Sequence, residues 1–149
     1  MKILVLAGHH VRALLPYTEC ADVMREALAE LARGQIQQPL RTIVRPRDAA
    51  GFMGLMPAYS PGAGYGLKAI CITPGNPAIG KDAHQGGVLL FAAATGEPLA
   101  LVNASAVTEI RTAATSAVAQ QAPTGIPLPS ALATVTTSGW RWVAWKANQ

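Results

Sequence analysis

Three cations stand singly among apolar or small residues: Arg41 in Leu40-Arg41-Thr42-Ile43-Val44, Lys68 in Gly66-Leu67-Lys68-Ala69-Ile70-Cys71-Ile72, and Arg111 in Glu109-Ile110-Arg111-Thr112-Ala113-Ala114-Thr115-Ser116-Ala117-Val118-Ala119. A guanidinium offers a planar fork of donors that matches a carboxylate or phosphate, and an ammonium adds a compact charge. The run of small residues after Arg111 gives a helix a slim face, which lets its backbone approach a neighbour or a ligand closely. Holding a small anion is the chemistry such a set suits. Each arginine also has an ordinary reading: Arg41 as a charge on an edge strand, Arg111 as a solvated helix charge. Lys68 is harder to read that way. A lysine in a mostly buried run is costly unless paired, and its amine is then open to a depressed pKa.

His84-Gln85-Gly86-Gly87 leads into a strand, and its imidazole has a suitable pKa for proton transfer, although a lone histidine also serves simply as a hydrogen-bonding group. Thr112 can donate to a phosphate or to its own helix carbonyl. Other motifs fail on inspection. Ile3–Gly8 resembles the first strand of a dinucleotide fold, but His9-His10-Val11-Arg12 stands where a glycine turn would admit pyrophosphate. Gly62-Ala63-Gly64-Tyr65-Gly66 has the wrong spacing and leads into a strand. His9 and His10, as neighbours on a strand, would point to opposite faces, so no metal site is expected.

The elements that must position these residues follow from periodicity and punctuation. Lys2 to Ala7 predicts a short strand. A helix opens near Pro16, with Thr18 as its cap; Cys20, Met24, Ala27, Leu28 and Leu31 share one face, and Gly34 ends it after Arg33. Strands are expected at Leu40–Arg45, Phe52–Met56, Tyr65–Thr73, Val88–Ala92 and Leu99–Asn103, with a hairpin-like turn at Thr95-Gly96-Glu97. Ser105 then caps a helix running through Arg111 to about Gln121. The pattern is α+β, with a mainly antiparallel sheet and flanking helices.

With 149 residues, half of them apolar and 13% charged, the chain has material for one ordinary domain with a real core. The net charge of +4 is spread over single basic residues, so no nucleic-acid surface is indicated. All eight acids lie at or before Glu109. Cys20 and Cys71 are too few for a disulfide framework and read as free buried thiols of a reducing compartment. No apolar run reaches membrane-spanning length, and the expected location is the cytoplasm.

Seven segments in order carry a resemblance: Gln38-Pro39-Leu40-Arg41-Thr42, Gly51-Phe52-Met53-Gly54-Leu55-Met56-Pro57-Ala58-Tyr59, Gly66-Leu67-Lys68, His84-Gln85-Gly86, Val88-Leu89-Leu90-Phe91, Thr95-Gly96-Glu97-Pro98-Leu99-Ala100 and Arg111-Thr112-Ala113-Ala114. Together they resemble the N-terminal half of the ornithine cyclodeaminase/mu-crystallin family over residues 1 to about 119. The resemblance implies a substrate-binding and dimerisation domain, with the family's NAD(P)-binding Rossmann domain missing from this chain. It implies chemistry on a small amino or imino acid: cyclodeamination of ornithine to proline, reduction of a ketimine or of pyrroline-2-carboxylate, or alanine dehydrogenation. It places Arg41, Lys68 and Arg111 on the substrate carboxylate, Lys68 as the catalytic residue, and Ala83, His84, Arg111 and Thr112 beside NAD or NADP. At Ala83 the family commonly has a hydrogen-bonding side chain, so only backbone contact is left there.

After Ala119 the resemblance stops. Residues 120–149 hold Pro123, Pro127 and Pro129, many Ser and Thr, and Trp140, Trp142 and Trp145. They are expected to be an unrelated, disordered or frameshifted tail, and the chain alone is expected neither to bind NAD(P)H tightly nor to turn over. The alternative is a non-catalytic domain that forms a homodimer or binds a small molecule.

Overall fold

The structure is a computed structural model, and it describes residues 2–120; apart from Gln120, the expected tail lies outside them. Strand β1 (Leu4–Leu6) is followed by helices α1 (Gly8–Leu14) and α2 (Tyr17–Ala32). Strands β2 (Thr42–Val44), β3 (Phe52–Ser60), β4 (Gly64–Ile72), β5 (His84–Phe91) and β6 (Pro98–Asn103) lead to α3 (Ala104–Gln120), with a short 3-10 turn at Asn76–Ile79. The six strands form one sheet in the order β1-β6-β5-β4-β3-β2. Only the β1–β6 pair is parallel; every other neighbouring pair is antiparallel, as the sequence led us to expect.

Side chains alternate across the sheet, and the register aligns them in rows. Met56, Lys68, Val88, Val102 and Leu6 form one row on the helix-covered face. Pro57, Leu67, Leu89, Leu101 and Val5 form the adjacent row on the opposite face, which no described helix covers. Helices α1 and α3 lie on the sheet, α3 crossing β4, β5 and β6, and α2 packs onto α3. The core is built from Leu6, Val88, Leu90, Ala100 and Val102 of the sheet against Val11 and Leu15 of α1, Cys20, Met24 and Ala27 of α2, and Ala106, Val107, Ile110 and Ala114 of α3. The alanines thin the helix so that it settles close to the sheet and to α2. Burial of these side chains contributes about 1.5–3 kcal/mol for each large aliphatic one.

Several local expectations need correction. His9 and His10 lie on α1 rather than on a strand, both exposed. His10 accepts the Ala7 N–H at Nδ1 (3.2 Å), as a glutamate does in a capping box, which accounts for a helix starting at a Gly-His-His sequence. Pro16 rather than Thr18 occupies the start of α2, its φ of −60° already suited to helix entry. At the other end Gly34 does stop α2, at φ 72°, with its N–H on Leu31 O and the Gln35 N–H on Glu30 O. The α3 cap is Asn103, whose Oδ1 accepts the Ala106 N–H at 2.9 Å, and Ser105 is left for another task. Strand β3 runs on through Pro57, because β2 pairs only with Met53–Leu55 and the next edge contact is the Gln37–Tyr59 bridge, which leaves the proline in an unpaired gap between them. Cys20 is buried as expected, but Cys71 is exposed, since alternation along β4 turns it to the open face.

Candidate anion site beneath helix α3

Strand β4 sends every second side chain inward, and its inner positions are Gly64, Gly66 and Lys68, followed by Ile70. Two glycines leave room, and Lys68 enters the layer beneath α3 between Met56 and Val88. The side chain is only 4% exposed. Its Nζ donates to Thr108 Oγ1 at 2.6 Å. One turn further along α3, Arg111 is 8% exposed. Ser105, Thr108 and Arg111 are spaced by three and therefore share one helical stripe.

No acid balances these charges. Among the described residues, Lys68 and Arg111 have no carboxylate partner, and the Arg111 guanidinium has no hydrogen bond. Carboxylates are paired at the surface instead, as with Arg12 and Glu109 at 3.0 Å and Arg25 and Asp22 at 2.6 Å. Burial, then the charges of Arg111 and Arg41, lower the Lys68 pKa from 10.5 to about 8. Burial also lowers that of Arg111, against a smaller opposing effect of Cys20. The Cys20 thiol is pushed up to about 11 by burial, which the nearby guanidinium only partly offsets. Arg41 itself is exposed and lies just ahead of β2, near enough for its charge to be felt at Lys68. The three cations singled out from the sequence thus meet in one neighbourhood.

His84 opens β5 beside them. Burial and then Lys68 lower its pKa; its own backbone hydrogen bond opposes this, Arg111 lowers it further, and Asp82 raises it slightly. The imidazole is therefore biased to the neutral form. Ser105 Oγ donates to the His84 carbonyl, and the same oxygen stands 3.4 Å from His84 Nδ1. With its single O–H given to the carbonyl, Ser105 can only accept from the ring. This selects the Nδ1–H tautomer and leaves Nε2 as the acceptor.

The other two candidates are differently placed. Thr112 is exposed, and its hydroxyl donates to the Thr108 carbonyl at 2.6 Å, the ordinary helical alternative. The Ala83 carbonyl accepts the Thr73 N–H at 2.8 Å, so that part of its backbone is already engaged. Gly86 lets β5 draw close to β4: a Cβ there would collide with the backbone of Ala69 and Ile70. Sequence reasoning missed Thr108 and misassigned Ser105. The signal was present, since both lie at multiples of three before Arg111.

The open face carries a separate feature. Val5, Tyr65, Leu99 and Leu101 are exposed by 41–61%, and a cavity of about 330 Å³ is bordered by Pro57, Tyr59, Tyr65, Leu67 and Phe91. None of the three cations lines it. Among the described residues no group of three His, Cys, Asp or Glu side chains is placed to hold a metal ion, and no helix is long and apolar enough to cross a membrane.

Comparison with known proteins matches residues 1–122 to the model of the ornithine cyclodeaminase/mu-crystallin family. Over 100 residues the chain is 36% identical to the ketimine reductase mu-crystallin of Mus musculus, covering 64% of this chain and 32% of that protein. Over 118 residues it is 35% identical to a Delta(1)-pyrroline-2-carboxylate reductase of Bacillus cereus, covering 78% of this chain and 36% of that protein. Among solved structures, the Thermococcus litoralis Delta(1)-pyrroline-2-carboxylate reductase in complex with NADH and L-proline superposes with a TM-score of 0.76 at 31% identity, covering 80% of this chain and 37% of that one. An archaeal alanine dehydrogenase dimer with bound NAD gives 0.71 at 32% identity, over 77% of this chain and 35% of that one. The chain spans about a third of the length of the relatives it matches.

Proposed function

Because this chain belongs to the ornithine cyclodeaminase/mu-crystallin family, we propose that its described residues form the carboxylate-holding part of an NAD(P)-dependent enzyme acting on a small amino or imino acid. The observation that carries this reading is the buried pair Lys68 and Arg111, left without any acid and joined by the charge of Arg41. A charge cluster of one sign is unfavourable in the empty protein and becomes favourable when an anion enters it. A single carboxylate answers all three cations. Held there, it fixes the α-carbon in one orientation, which is where an enzyme gains rate by removing translational and rotational freedom.

Lys68 is the group we assign to proton chemistry. An amine that titrates near pH 8 is close to evenly poised between holding a proton at Nζ and accepting one from a substrate nitrogen. A nicotinamide cofactor, when bound, supplies or accepts hydride at the α-carbon. Arg111 and His84 fit its vicinity, one as a guanidinium for phosphate and the other as a neutral ring with Nε2 free. Thr112 and the Ala83 backbone fit less well, because the hydroxyl and the carbonyl each already have a partner. The names of the relatives favour reduction of a cyclic imino acid over the other family reactions, with ornithine cyclodeamination as the alternative. A cytoplasmic location accords with two unpaired cysteines.

The open sheet face supports a second element of the reading, a homodimer. Five apolar side chains in register, flanked by Tyr65 and Leu99, make a continuous surface of the kind that pairs. That pairing would also serve a non-catalytic domain, so it does not by itself argue for catalysis.

The carboxylate reading is tested by thermal unfolding at pH 7 with added L-proline, using the parent chain and Arg111→Met. The parent is expected to be stabilised saturably and the variant not. Equal behaviour of the two chains, or no effect on the parent at tens of millimolar, would contradict it.

A further inference from the structure

Four hydroxyl residues follow one another along the exposed and inner sides of α3 after its first turn: Thr108, Thr112, Thr115 and Ser116. Three of them do what a hydroxyl inside a helix ordinarily does and donate to the carbonyl four residues earlier: Thr112 to Thr108 O, Thr115 to Arg111 O at 2.8 Å, and Ser116 to Thr112 O at 3.0 Å. Thr108 does not. Its Oγ1 is turned to Lys68 and accepts from Nζ. An oxygen that accepts from Lys68 still carries its own proton, and among the described residues that O–H has no acceptor.

We propose that Thr108 is a positioning residue of the anion site, fixing the Lys68 ammonium with its oxygen and presenting its free O–H as a further donor to the bound carboxylate. The inference rests on the carboxylate reading above and adds to it a neutral donor that binds only through geometry. The short bond holds Nζ at one place beneath α3, so the remaining N–H directions are fixed as well. Arg111, one turn on, then meets the same ligand from the same helix, and Arg41 closes the site from the β2 side. Because Thr108 and Arg111 share a rigid element, the spacing between the hydroxyl donor and the guanidinium is set by the helix rather than by loop closure. A ligand with one carboxylate satisfies both, one oxygen for each donor, and its charge is the one the buried cations favour.

The test compares Thr108→Val, which keeps the shape and removes the hydroxyl, with Thr108→Ser, which keeps the hydroxyl. The full chain is prepared with 13Cε-labelled lysine, and the Lys68 Cε resonance, identified by its loss in Lys68→Met, is followed against pH. The groups facing it from other elements are Arg111 on α3, Arg41 before β2 and His84 on β5; all three are unchanged in both variants. Losing an acceptor from the ammonium should lower the Lys68 midpoint by roughly one pH unit in Thr108→Val, while Thr108→Ser should titrate like the parent. A midpoint in Thr108→Val equal to the parent's overturns the proposal. The same samples are then titrated with L-proline at pH 7, where Thr108→Val should bind about tenfold more weakly than Thr108→Ser, a hydrogen bond to a charged acceptor being worth about 1.5 kcal/mol or more. If proline moves no Lys68 resonance in any chain while the midpoints differ as expected, Thr108 positions Lys68 and the carboxylate reading is what fails. If proline binds both variants alike, the donor role is overturned.

Discussion

Replacing Lys68 by methionine should make the ligand-free protein more stable at neutral pH, although it destroys the site. The folded chain holds the Lys68 pKa near 8 against an unfolded value of 10.5. At one pKa unit per 1.36 kcal/mol, the charged amine costs the native state up to about 3 kcal/mol at pH 7. Methionine fills the same volume without charge and forfeits the bond to Thr108, worth about 1 kcal/mol. The expected net gain is about 2 kcal/mol. The sign of the pH dependence follows from which state holds more protons. Between pH 8 and 10.5 the unfolded chain is the more protonated at Lys68, so the parent gains stability as pH rises through that window. At pH 10 the parent should have recovered about 2 kcal/mol, and the advantage of Lys68→Met should nearly vanish. Urea unfolding of both chains at pH 7 and pH 10, at one protein concentration and low salt, measures this directly. A variant less stable than the parent at pH 7, or an advantage that is the same at both pH values, would mean that the buried Lys68 charge does not burden the empty fold.

Four further outcomes are expected. Because His84 has a pKa held below its ordinary value, the native state resists its protonation, and stability should fall as pH drops below about 6.5; His84→Gln should flatten that limb of a pH-stability curve. Ser105→Ala should release the ring, so that 15N spectra of the imidazole show a mixture of tautomers in place of Nδ1–H alone. Gly86→Ala should destabilise the fold by on the order of 3 kcal/mol, read as a lower urea midpoint, since no flexible side chain can yield where its Cβ would sit against the β4 backbone. Leu101→Glu, on the open sheet face, should shift sedimentation velocity from dimer to monomer while leaving the far-ultraviolet circular dichroism unchanged; a monomeric parent chain would contradict the pairing surface.

The cations of the candidate site were conspicuous in the sequence because charged residues in apolar surroundings are few and costly, which singled out Arg41, Lys68 and Arg111. Strand alternation was enough to bury Lys68, and the succession of strands and helices was enough for an α+β sheet. What stayed hidden depended on tertiary contacts. A threonine in mid-helix gives no sign of whether its hydroxyl bonds the preceding turn, and only the approach of Lys68 from β4 diverts Thr108 from that bond. Ser105 looked like a cap because it precedes a helix, whereas Asn103 starts the helix two residues earlier and Ser105 reaches His84. Helix α1 carries too short a pattern to show a period, and its two adjacent histidines pointed away from it. Pro57 read as the end of β3, since nothing local reveals that β2 is too short to pair there. Cys71 was grouped with its apolar neighbours, and the missing information was which face of the sheet the helices cover.

Carboxylate binding among the three cations should be accompanied by proton uptake at Lys68. At pH 8, where Lys68 is about half protonated in the empty site, an anion seated against Nζ must draw a proton onto it. Calorimetric titration of L-proline into the chain, repeated in buffers of different ionisation enthalpy, counts that proton. The expected result is uptake of up to about half a proton for each proline bound, absent in Lys68→Met. Saturable binding without any uptake, or the same uptake in Lys68→Met, would show that the carboxylate is not held where the three cations meet.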